Sequence, residues 1–107
     1  MTGSEYQILA ARTINVTERK DMLVNAAMGL AGEAGECVDI VKKVRFQNHT
    51  LDADHLVEEL GDVLWYIAEA ATAIGCDLDY IMEINVEKLK RRYPNGFETE
   101  RSINREE

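Results

Sequence analysis

The only proline in this chain is Pro94, so nothing before it interrupts a helix. Apolar residues use that freedom. They recur in steps of three and four nearly throughout, the helical period, and no stretch alternates with period two or carries a hairpin dipeptide between apolar runs. The chain therefore reads as an all-α protein of four to five helices. A first helix is expected from about Ser4, as N-cap, to Thr13. A second runs from about Glu18 to Val44, with Thr17 as a cap and the stripe Leu23, Ala26, Ala27, Leu30, Ala34, Cys37, Val41 and Val44. A polar connection follows. Asp52 or Asp54 caps a third helix that carries Leu56, Leu60, Val63, Leu64, Ile67, Ala71 and Ile74 and stops at Gly75. Asp77 caps a fourth, whose last turn holds Lys88, Lys90, Arg91 and Arg92, suited to the negative end of its dipole. Pro94-Asn95-Gly96 is a turn, and the charged remainder to Glu107 is expected to be frayed or an extended arm. At 107 residues this is one domain, residues 1–107, with a core over about 5–97 and a tail from 98. The two long central helices are expected to lie antiparallel, packed on each other.

Composition narrows the function. A net charge of −8 disfavours a nucleic-acid backbone as partner. Cys37 and Cys76 have no metal spacing and read as reduced packing residues. No signal-peptide pattern and no membrane-length apolar run is present, so a cytoplasmic location is expected, with no membrane partner.

The acidic residues are not spread evenly. Gly32-Glu33-Ala34-Gly35-Glu36 and Glu58-Glu59-Leu60-Gly61-Asp62 each place two carboxylates three residues apart, on one helix face. At about 100° per residue, Glu33 and Glu36 share a flank with Ile40 and Val44, and Glu59 and Asp62 lie with Tyr66 beside the Leu60 stripe. Glu58 and Glu69 fall on the far side and are set apart. Packing the two helices would gather Glu33, Glu36, Glu59 and Asp62 in one pocket. Like charges brought together away from water are costly unless neutralised, and no lysine or arginine lies on those turns. A divalent cation is the natural neutraliser, and all-oxygen ligation selects magnesium, with manganese as substitute, over zinc. Di-iron bundles use Glu-x-x-His, and neither His49 nor His55 stands three residues after a glutamate. Gly29-x-x-Gly32-x-x-Gly35 lacks the Gly-Lys-Ser/Thr ending of a P-loop; close helix packing explains it better. Trp65 lies outside the main stripe, which suggests a subunit contact or a base-stacking surface.

Three blocks carry a family resemblance. Gly29-Leu30-Ala31-Gly32-Glu33-Ala34-Gly35-Glu36, then Glu58 to Tyr66, then Asn85 to Phe97 resemble, in order, the MazG-like nucleotide pyrophosphohydrolases of the all-alpha NTP pyrophosphatase superfamily. The resemblance implies magnesium-dependent hydrolysis of a nucleoside triphosphate to monophosphate and pyrophosphate, with a non-canonical or deoxynucleotide among the possible substrates. It puts the family's metal ligands on Glu33, Glu36, Glu59 and Asp62, and substrate contacts on Asn85 and Lys88, followed by Arg92 and Tyr93. It also implies a homodimer or a homotetramer built as a dimer of dimers. Glu36 or Glu59 is the expected general base, Lys43 a weaker phosphate contact, and Tyr66 a residue bordering the nucleotide. The competing reading is a non-catalytic oligomeric helical module that binds nucleotide or metal as a regulator.

Overall fold

A computed structural model describes residues 1–105 as helices α1 (Gly3–Ala11), α2 (Arg19–Phe46), α3 (Ala53–Ile74), α4 (Leu78–Arg92) and α5 (Thr99–Ile103), with no strand. The long pair α2 and α3 forms the dominant contact, an antiparallel hairpin closed by the polar connection between them. The start of α3 and its end are set locally as expected. Asp52 accepts a hydrogen bond from the His55 N–H, and Gly75 takes the left-handed conformation, φ 77°, that glycine adopts without steric cost. Gly96, φ 87°, closes the turn after Pro94 by donating its N–H to the Tyr93 carbonyl at 3.2 Å.

Several expectations need correction. Thr2, not Ser4, caps α1, because Thr2 and Glu5 form a reciprocal capping box. Ser4 Oγ instead donates to Asp79 Oδ2 at 2.7 Å, tying α1 to α4. Glu18 is the N-cap of α2, and neither it nor Asp77 at the start of α4 makes a side-chain cap bond. The Leu78 N–H goes to Gln7 Oε1 of α1. The tail from residue 98 contains the short helix α5; residues 106 and 107 lie outside the described residues. Trp65 also has an intramolecular role that its sequence position does not reveal. Its indole N–H bonds the Ala10 carbonyl at 3.1 Å and Thr13 Oγ1 at 2.9 Å, anchoring the end of α1 on α3.

The larger correction concerns the core. Buried positions on α3 are Ala68, Glu69, Ala71 and Ala73, while Leu60 is 52% exposed, Leu64 41% and Ile74 60%. The reason is angular. Helix α2 packs on the Glu59–Tyr66 flank and α1 on the Trp65–Thr72 flank, so the two meet about 180° from Leu60. Leu60, Leu64 and Ile74 of the expected stripe face away from both, while Ala71 of the same stripe is fully buried toward the end of α3. Helix α4 touches α1 and the end of α3 and then leaves them. The result is an open protomer with a radius of gyration of 16.8 Å, against about 13 Å for a closed chain of this length.

Candidate metal centre

The α2–α3 seam brings together what the sequence placed on two helices. Ligand atoms of Glu33, Glu59 and Asp62 all lie within 4.8 Å of one another. Glu33 and Glu59 are half-buried and Asp62 is exposed, so the group opens to solvent on one side. Glu36 stands just outside this group of three, near enough for its charge to bear on Glu33. The crowding has a consequence for protonation. A hydrogen bond to Glu59 holds a proton on Glu33 and raises its pKa from 4.5 to about 7; desolvation and the charges of Glu59, Asp62 and Glu36 push the same way. Among the described residues no lysine or arginine ion pair reaches the three carboxylates; Glu59 has only His55, one turn earlier, with Nε2 at 3.3 Å. The donor set is hard oxygen, crowded and short of positive charge, which fits magnesium or manganese.

Around this group the seam is built of matched pairs. Tyr66 fills the space opposite Gly29. A Cβ on Gly29 would fall 2.1 Å from the Tyr66 ring. The glycine is therefore required by an aromatic side chain rather than by a second backbone. Gly32 and Gly35 face open space, so close packing explains only the first glycine of the run. One turn beyond, Asn25 of α2 meets Glu69 of α3. Tyr6 of α1 lies on the same side, its phenol pKa raised by burial and then by the charge of Asp62. Sequence reading missed Asn25, Glu69 and Tyr6. Glu69 points away from the apolar stripe, and that is the side which α1 and α2 cover.

The other expected site residues lie elsewhere. Lys43 is held by Asp39 at 2.9 Å, an ion pair that lowers the pKa of Asp39 and raises that of Lys43. Asn85 and Lys88 edge an apolar hollow of about 340 Å³ formed by Ile74, Cys76, Tyr80, Ile81 and Ile84. Lys88 and Arg92 also line a cleft of about 850 Å³ between α4 and α5, with Arg91, Arg101 and Arg105. Tyr93 packs on Phe97, ring centres 5.2 Å apart. Neither cavity includes a carboxylate of the centre. Within one chain the acidic and basic halves of the expected site are thus separate.

Residues 24–97 match the family described as the MazG nucleotide pyrophosphohydrolase domain. The chain is also similar to the gene 37 protein of Mycobacterium phage L5, at 36% identity over 100 residues that cover 85% of this chain and 88% of that protein. No solved structure matches. Among the described residues, no helix is long and apolar enough to cross a membrane.

Proposed function

Because the chain belongs to the MazG nucleotide pyrophosphohydrolase domain family, we propose that it hydrolyses a nucleoside triphosphate to the monophosphate and pyrophosphate in the cytoplasm, with magnesium held by Glu33, Glu59 and Asp62. The observation that carries this reading is the cluster itself: three carboxylates within 4.8 Å with which no lysine or arginine among the described residues forms an ion pair. Such an ion, when bound, offsets phosphate charge and lowers the pKa of water. The protein's own residues do the rest. Glu33, Glu59 and Asp62 would hold the ion, with Glu33 giving up the proton that it shares with Glu59. Glu36, beside them but outside the tight group, is free to accept a proton from the water that attacks the α-phosphorus. Tyr66 covers the α2 backbone next to the cluster and borders the nucleotide.

Lys88, Arg92 and Asn85 bind the triphosphate chain of a site on a second copy, and the working unit is a homodimer or a pair of dimers. Two features support this. Helix α4 carries those residues away from the carboxylates of its own chain. The apolar stripe Val57, Leu60, Leu64 and Ile74 is exposed in the protomer, an arrangement that marks an interaction surface. Purified protein with magnesium should release pyrophosphate from a triphosphate, and Glu59→Gln should abolish the release. Liberation of single phosphate from the γ position would sink the reaction. Nucleotide-dependent stabilisation with no turnover would favour a non-catalytic regulator instead.

A further inference from the structure

Glu69 stands out among the described residues as the largest fully buried side chain, 1% exposed, in a chain whose other buried positions are mostly alanine. Both its carboxylate oxygens accept from one group, the Asn25 amide nitrogen, at 2.9 and 3.1 Å. Asn25 itself is exposed on the α2 surface. The carboxylate removes the usual freedom of an asparagine amide to turn over. Were Oδ1 to face Glu69, two acceptors would oppose each other in a buried site, so Nδ2 must face inward. Oδ1 is then directed outward, and among the described residues no protein donor meets it. The result is a carbonyl acceptor of fixed orientation on the surface.

Its place is informative. Along α2, Asn25, Gly29 and Glu33 follow one strip at intervals of four residues; along α3, Glu69, Tyr66 and Asp62 answer them. The seam is a ladder of three rungs: acidic cluster, aromatic ring, oriented amide. Two helical turns separate the first rung from the last, roughly 12 Å along the axis, a span that suits a nucleoside laid from its phosphates to its base.

We propose that Asn25 reads the base of the substrate: Oδ1 accepts a hydrogen bond from an N–H on the base edge, and Glu69 is the positioning residue that keeps Oδ1 outward. The assignment deepens the triphosphate reading above and rests on it. A base that turns an acceptor toward Asn25 is rejected, because the buried carboxylate prevents the amide from turning to donate.

The test compares the intact protein with Asn25→Ala, Glu69→Gln and the double variant, in magnesium. One arm measures kcat/KM for UTP, CTP, ATP and GTP. A second arm measures binding of the four corresponding monophosphates, which needs no turnover. The expected result is a loss of about tenfold for the favoured base in Asn25→Ala, the size of one hydrogen bond, carried mainly by KM, with the other bases little changed. Glu69→Gln, nearly isosteric, should relax the base ranking similarly because a glutamine can pair with either face of the amide. The double variant should be no worse than Asn25→Ala alone, since Glu69 acts through Asn25. An unchanged base ranking in a folded Asn25→Ala overturns the assignment. An unchanged ranking in folded Glu69→Gln overturns the positioning role. If no triphosphate yields pyrophosphate, the reaction proposed above falls, while the monophosphate ranking still decides for or against Asn25.

Discussion

The two sides of α3 differ in a way that inverts the usual reading of an amphipathic helix. The side covered by α1 and α2 is lined by Ala73 and the buried Glu69, with Ala68 at its edge, and it continues into Tyr66, Glu59 and Asp62. The opposite side carries Val57, Leu60, Leu64 and Ile74, all exposed, with only the small Ala71 buried among them in the described residues. The small and polar side is thus the intramolecular one. Alanines let α1 and α2 approach closely, and the polar residues between them are held by specific partners rather than by bulk burial. The leucine side is large, apolar and continuous, which suits a surface closed by a second copy. The fold of one chain positions the candidate site, and the apolar stripe is left for assembly.

The comparison breaks first at the leucine side. Leu60→Asp combined with Leu64→Asp should convert the assembly to a single protomer, because a charge in a closed apolar interface is strongly unfavourable. Light scattering would show the mass of one protomer. Pyrophosphate release should fall by about a hundredfold or more, since a separated protomer would lack the partner's cationic contacts to its phosphates. A double variant that keeps its native mass would remove the second copy from the account. So would one that becomes monomeric with full activity, because the site would then be complete in one chain.

The carboxylate end of the covered side makes a prediction in pH. Glu33 titrates near 7 in the folded chain against 4.5 in the unfolded one. Its protonated form is the one the fold favours. The stabilisation is therefore fully present below about pH 4.5 and is lost as pH rises through about 7. Metal binding replaces the shared proton, so magnesium should bind more tightly as pH rises, by up to about tenfold per unit below 7, and then level off. Melting temperatures with and without magnesium at pH 5.5 to 8 would show a gap that widens with pH. The gap should change little with pH in Glu33→Gln. An equal gap at both ends of the range in the unaltered protein would deny the shared proton.

These outcomes also mark what the sequence could and could not carry. Periodicity, Asp52 and Gly75 were enough to place the long helices, because caps and helical repeats are local. The acidic pairs were enough to assemble Glu33, Glu59 and Asp62, because residues three apart share a face and the two helices are consecutive. Which object covers a face is not local information. The period that marked Leu60 and Leu64 as apolar is the same whether their own chain or another copy packs there. Glu69 was illegible for the same reason, since its burial depends on α1 and α2 meeting across it. The anchoring role of Trp65 was illegible because its partners, Ala10 and Thr13, are more than fifty positions away.

The glycines of α2 give the finest test of the two environments, since they sit on one helix within two turns. Alanine at Gly29 puts a methyl 2.1 Å from the Tyr66 ring, far inside contact distance, so the ring must leave the seam or the helices must part. Overpacking of that kind costs about 1–3 kcal/mol, and the displaced ring should also weaken magnesium binding one turn away. Alanine at Gly35 meets nothing within 4 Å. There the helix gains up to about 1 kcal/mol from the better helix former. Denaturant titrations of the two variants should therefore move in opposite directions. If Gly29→Ala proves neutral, Tyr66 is not pinned against α2, and the ladder that joins the carboxylates to Asn25 loses its middle rung. If Gly35→Ala is destabilising instead, that flank of α2 is covered in the assembled protein, and the second copy extends from the leucine side of α3 across to the rim of the carboxylate centre.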